Sequence, residues 1–195
     1  MARKVNKLVY GVGTNDAGRA VWTKLNGKRV VCPFYDRWQS MLGRCYDPKF
    51  HLRNPTYVGC SVAEEWLLFS NFENWMKTQD WEGKQLDKDI LKLGNKLYSP
   101  DFCIFIPKKL NSFTVDCGAS SGEWPIGVSL HKRTGMFVAR CSNPFTGKRE
   151  NLGGFDNPDD AHEAWRKRKH ELALIYADQQ TDPRIADALR TRYLH

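Results

Sequence analysis

The chain lacks any run of about 18 apolar residues, the length a membrane-crossing helix needs, and its opening MARKVNKLVYGVG lacks the apolar centre of a secretory leader. An intracellular, cytoplasmic protein with no membrane partner is expected. C-x-x-C pairs are also missing. The six cysteines, Cys32, Cys45, Cys60, Cys103, Cys117 and Cys141, are scattered, and in a reducing compartment such residues stay free. A structural zinc site from Cys45, Cys60 and Cys103 with a fourth ligand is the weaker alternative, because such sites usually announce themselves by a close-spaced pair. There is no internal repeat and no low-complexity tract, and the fragment GVG near the start is too little for a phosphate loop.

What is present is enough for a core. The 195 residues are 41% hydrophobic and 12% aromatic, which suits one domain or two small ones. Thirty Lys and Arg oppose twenty-two Asp and Glu, a formal charge of +8, and this excess favours a polyanionic partner.

Residues 1–34 carry short apolar pieces between glycines and basic residues and read as an arm or small hairpin. From Tyr35, the spacing of Trp38, Met41, Leu42 and Cys45 predicts a helix ending before Asp47-Pro48, with Arg37 and Arg44 on its exposed face. Ser61-x-x-Glu64 and Ser70-x-x-Glu73 match capping boxes and predict two short helices. Trp66, Phe69, Phe72, Trp75 and Met76 form a stripe suited to the core. Residues 112–124 are polar and glycine-rich and read as a linker.

Beyond it, Ile126, Val128 and Leu130 alternate with Gly127, Ser129 and His131, the period of a strand with one wet face. Phe137, Ala139 and Cys141 alternate with Met136, Val138 and Arg140 in a second strand, and residues 148–155 form a third. A helix follows, with Pro158 in its first turn, Asp159 and Asp160 at its positive end, and Ala161, Ala164, Trp165, Leu172 and Ile175 as its apolar face. Three strands cannot stand alone in water. The helix must cover one face, leaving Ser129, His131, Arg140, Ser142, Arg149 and Asn151 on the other. The basic run 166–170 falls on the helix, away from that face, where it serves as a solvated flank or phosphate brace. Residues 179–195 complete the chain as a helical tail.

The stretch GVSLHKRTGMFVARCSNPFTGKRENLGGFDNPDDAHEAWRKRKHE, residues 127–171, resembles the plant ethylene-response-factor (APETALA-type) DNA-binding domain, which also occurs in phage homing endonucleases. The likeness rests on the G-V of the first strand, F-V-A-R of the second, G-K-R-x-x-L-G-x-F of the third and D-x-x-x-D-A-x-x-A-W of the helix. It implies double-stranded DNA as partner, with the sheet entering the major groove. By that likeness Ser129, His131, Arg133, Arg140, Ser142, Arg149 and Asn151 face bases or phosphates. Plant members carry arginines and a tryptophan where this chain has Ser129 and Asn151, so their sequence preference does not transfer.

LDKDILKLGNKLYSPDFCIFIPKKLN, residues 86–111, resembles the core of phage HNH proteins in its Gly94-Asn95-Lys96 loop and its end from Pro107 to Asn111. In that family a histidine activates water, while an aspartate and a helix residue hold a divalent metal. Asp87 matches the aspartate, Lys88 stands where the histidine belongs, and the helix position falls near Asp101-Phe102. The resemblance thus implies Mg²⁺ or Mn²⁺ on Asp87, Asp89 and Asp101, with Asn95 beside them. It leaves Lys88 or His51 to act as base. A lysine is a base only where its ammonium is destabilised, and flanking carboxylates do the opposite.

WQSMLGRCYDPKFHLRNPTYVGCSVAEEWLLFSNFENWM, residues 38–76, resembles the part that precedes such cores in phage proteins. The expected protein is α+β. A helix-rich part with a small ββα-metal core at 35–111 precedes a three-stranded antiparallel sheet on one helix at 125–178. The expected function is a phage-type HNH-like homing endonuclease, acting in a host bacterial cell and positioned by a C-terminal DNA reader. The alternative is a non-catalytic, sequence-specific DNA-binding protein with a degenerate nuclease core. An acidic protein partner for the basic face is a third, weaker reading.

Overall fold

The computed structural model describes residues 8–115 and 123–194. The fold is mixed α+β: several small sheets, among them one three-stranded antiparallel sheet, and six α-helices among the described residues. The chain divides into two units, Met1–Ile106 and Pro107–His195. No helix among the described residues is long and apolar enough to cross a membrane.

In the first unit, strands β1 (Trp22–Leu25) and β2 (Lys28–Val31) pair antiparallel as a hairpin. Asn26 and Gly27 both have positive φ, 51° and 76°, as a two-residue turn matched to strand twist requires. Helix α1 (Pro33–Tyr46) follows, with the proline in its first turn, and α2 (Pro48–Arg53) starts on the Asp47 carboxylate, which accepts from the Lys49 amide. The short strands β3 (Ser61–Val62) and β5 (Leu97–Tyr98) pair in parallel, and β4 (Lys84–Asp87) pairs with β6 (Ile104–Pro107).

The core of this unit is aromatic. Trp38, Trp66, Phe69 and Phe72 are almost wholly buried, and α3 (Phe69–Lys77) lays its apolar stripe against α1. Trp66 meets Phe72 edge-on at 5.1 Å, and the Trp38 indole N–H donates to the Trp66 carbonyl at 2.7 Å. Each such ring brings large apolar area out of water, and the buried indole keeps a hydrogen-bond partner.

Two local expectations differ here. Neither serine caps its helix. Ser61 lies in β3, and the residue flanking α3 is Leu68, with no side-chain cap. The Asp16 carboxylate, from a distant segment, accepts from the Ser70 amide at 2.8 Å and from its hydroxyl. Arg44 turns inward to hydrogen-bond the Tyr98 hydroxyl instead of facing solvent.

The second unit opens with α4 (Lys108–Thr114), which buries Leu110 and Phe113. The stretch expected as a linker from residue 112 therefore begins inside a helix; residues 116–122 lie outside the described residues. Strands β7 (Val128–His131), β8 (Met136–Ser142) and β9 (Arg149–Phe155) form an antiparallel meander in that order. Helix α5 (Pro158–Asp178), capped by the Asn157 side chain, lies across one face of the sheet, and α6 (Pro183–Thr191) packs on α5. Gly127 has φ +81°, and a Cβ there would come within 2.1 Å of the Trp165 ring, so only glycine lets that indole close the sheet onto the helix.

Candidate nucleic-acid interface

Residues opposite one another in an antiparallel pair share a face. The register sets Ser129 against Val138, His131 against Met136, Arg140 against Asn151 and Ser142 against Arg149. These residues lie on the face turned away from α5, while Ala139 and Cys141, fully buried, point toward it. A bulge between Ala139 and Arg140, with Gly153 at φ +120°, absorbs one extra residue in β9 and keeps both faces consistent. The six side chains expected on the wet face are thus brought together there, and Arg133 lies exposed in the turn between β7 and β8.

The face is positive. Residues 125–155 contain Lys132, Arg133, Arg140, Lys148 and Arg149 against one acid, Glu150. Glu150 opposes the inward-facing Cys141, accepts from Arg168 Nε at 2.7 Å and from the Asn143 amide at 2.7 Å. These bonds, the Arg168 one foremost, hold its carboxyl down to about 2. Among the described residues none of the five basic side chains makes an ion pair with a carboxylate. Arg140 reaches across to the Ser129 hydroxyl at 3.4 Å, and His131 Nδ1 lies 2.8 Å from the Thr134 hydroxyl. Within the strands two arginines of different exposure, Arg140 half-buried and Arg149 open, are the fork donors.

The run 166–170 is largely engaged elsewhere. Arg166 pairs with Glu163, and Arg168 with Glu150 and Glu171. Lys169 donates to the Phe113 carbonyl, its ammonium 3.8 Å from the Phe113 ring and within 6 Å of the Trp165 and Tyr193 rings. Lys167 remains exposed. His162 is half-buried: Nδ1 lies 2.9 Å from the Ile126 carbonyl and its ring stacks on Trp165. The buried stripe of α5 is Ala161, Trp165, Leu172, Ala173, Tyr176 and Ala177, whereas Ile175 faces outward.

The central loop uses its polar residues differently. Asp87 ends β4, and its Oδ1 accepts from the amides of Asp89 at 2.8 Å and Ile90 at 2.6 Å. Lys88 is buried; its ammonium donates to Asp89 Oδ1 at 2.6 Å and to the Asn95 carbonyl at 2.7 Å, with the Tyr57 and Tyr98 rings each 5.9 Å away. Asn95 answers by donating to the carbonyls of Lys88 and Leu97. This set closes the loop 88–97 on itself. The Lys88 ammonium is thus engaged by two acceptors with two ring faces beside it.

His51 sits on α2 with Nε2 2.8 Å from the Arg44 carbonyl, so that nitrogen is the donor. Asp101 is exposed in a turn, not on a helix, and the helix that follows β6 is α4, which carries Asn111. Among the described residues no three of His, Cys, Asp and Glu are placed to hold a metal ion, so Asp87, Asp89 and Asp101 do not form a three-carboxylate cluster. Cys45, Cys60 and Cys103 line the aromatic core, where burial pushes the Cys45 thiol up to about 12 and the other two upward. Metal ligation needs thiolates, the form this environment opposes.

No family model, curated protein or solved structure matches the chain.

Proposed function

We propose that the protein binds double-stranded DNA in a sequence-dependent way through the outer face of the β7–β8–β9 sheet. One observation carries this reading: the strand register gathers Arg140, Arg149, Asn151, Ser142, Ser129 and His131 on a face that α5 leaves open, while the single acid of those strands turns inward. A β surface of this size enters a major groove, Arg forks onto guanine, and Asn can pair with adenine. Lys132, Arg133 and Lys148 in the turns supply phosphate contacts that set position without specifying sequence. The likeness to the ethylene-response-factor domain supports the same docking mode.

The test is binding to a pool of duplexes followed by affinity measurement on the enriched site. Arg140→Ala and Arg149→Ala each weaken that binding by about 1–3 kcal/mol and relax preference at the base each one reads. Unchanged affinity in both variants refutes the assignment of the face.

A second reading is a metal-dependent nuclease of the HNH kind in the central region, favoured by the order β4, loop, β6, α4 with Asp87 closing β4. The donor set does not fit it. An Asp87 oxygen caps a turn, an Asp89 oxygen holds Lys88, and the base position is filled by a buried ammonium. We therefore read residues 35–111 as a nuclease-like scaffold in structural use. Nicking of supercoiled plasmid in Mg²⁺ or Mn²⁺ that vanishes in Asp87→Ala and Asp89→Ala would reinstate the enzyme; a gel shift without nicking leaves the DNA binder.

A further inference from the structure

The β1–β2 hairpin is unusual within its unit, because both its faces are open. Trp22 is 43% and Leu25 64% exposed, and every residue of β1 is exposed. Two-stranded ribbons are marginal in water, and this one spends little of its apolar surface on the core. Its charge is of one sign. Residues 17–35 contain Arg19, Lys24, Lys28 and Arg29 and neither aspartate nor glutamate. Arg19 is bound to Glu73, and among the described residues Lys24, Lys28 and Arg29 have no carboxylate partner.

The register adds a specific point. Lys24 lies directly opposite Arg29, and like charges opposite one another on a face repel. Arg29 stacks over the Trp22 ring at 5.0 Å, which holds the guanidinium beside Lys24 instead of letting it swing away. A fixed pair of cations on an open ribbon is relieved by an anion lying across it. Lys24 is a point charge, suited to phosphate rather than to base edges, whereas Lys28 lies opposite Leu25 on the other face.

We infer that this hairpin is a second DNA contact, laid on the sugar-phosphate backbone of a duplex and indifferent to its sequence. The inference rests on the DNA-binding reading above but on different residues in a different unit. Each cation neutralising a phosphate adds about 0.9 to the slope of log affinity against log salt. In the full-length double variant Lys24→Gln, Arg29→Gln, that slope should fall by about 2 on any duplex, with sequence preference and melting temperature unchanged. The single variant Lys24→Gln, at an exposed position, should lower it by about 0.9 and guards against a folding defect in the double. Wild-type binding with an unaltered slope in both variants overturns the hairpin contact and leaves the sheet reading intact. Failure of the wild type to bind any duplex removes both. A hairpin-dependent slope found on duplex RNA and absent on DNA assigns the surface to another partner and overturns the proposal.

Discussion

Lys88 and Arg140 pose the same question in the two units, and the folds answer it oppositely. Each is a basic residue at the place a family resemblance marks as functional. In the first unit the aromatic core closes over Lys88, and the loop's own carbonyl and carboxylate accept hydrogen bonds from its ammonium. In the second, one layer of sheet on one helix leaves one face uncovered, and among the described residues the Arg140 guanidinium has just the Ser129 hydroxyl at 3.4 Å. Burial converts a polar motif residue into a structural fastening; an uncovered sheet face keeps it available for a partner. What sets the use of each residue is whether its side chain has partners to spare.

The sharpest way to break the comparison is at Gly127. Gly127→Ala forces a positive-φ alanine and drives its Cβ into the Trp165 ring, which should cost about 2–4 kcal/mol from backbone strain and overpacking. Hydrogen exchange should show the loss in β7, β8 and α5, with DNA affinity falling alongside, while the amides of α1 and α3 keep their protection. Equal loss of protection in both units would show that they unfold as one. Lys88→Ala is the converse. It strips the Asn95 carbonyl of its donor and opens space between two tyrosine rings, at a cost of about 1–3 kcal/mol. Denaturant unfolding of the first unit should shift while duplex binding holds. A Lys88→Ala protein of wild-type stability would contradict the structural role given to the ammonium.

The second unit was the more legible in sequence because its signals are local. Period-two alternation along β7, β8 and β9 identifies the wet face before any pairing is known, and Asn143-to-Gly147 and Lys132-to-Gly135 mark the turns between them. What escaped came from distant residues. Ile175 was expected inside α5 and lies outside, because the helix turns Lys169 inward, where Phe113 and Tyr193 form an aromatic surround with Trp165. Phe113 comes from α4, a helix hidden at the start of a stretch whose polar, glycine-rich composition suggests a linker. The spacing of Ala161, Trp165, Lys169, Leu172 and Tyr176 was the available clue, masked by a charged residue in the apolar stripe. In the first unit the capping boxes misled because the α3 amide was claimed by Asp16, fifty-four positions away in the chain. Lys88 gave no sign of burial, since Tyr57 and Tyr98 reach it only through the fold.

The smallest effect concerns the one acid of the sheet. Glu150 ties β9 to α5 through Arg168 and to the β8–β9 turn through Asn143. Its folded value of about 2 lies below its ordinary 4.5, so the carboxylate stabilises the folded state wherever it is ionised. That contribution is full above the ordinary value and is lost as pH falls from about 4.5 toward about 2. Glu150→Gln should therefore flatten the decline of stability across this window by up to about one proton's worth of slope, with little change in how the first unit responds to acid. Because Glu150 points away from the basic face, affinity for DNA at neutral pH should stay as it is. A variant whose stability falls as steeply in acid as the wild type would show that other carboxylates govern the acid response of this unit. One that tightens on DNA would place the Glu150 charge within reach of the phosphates, on the wrong side of the sheet for the interface proposed.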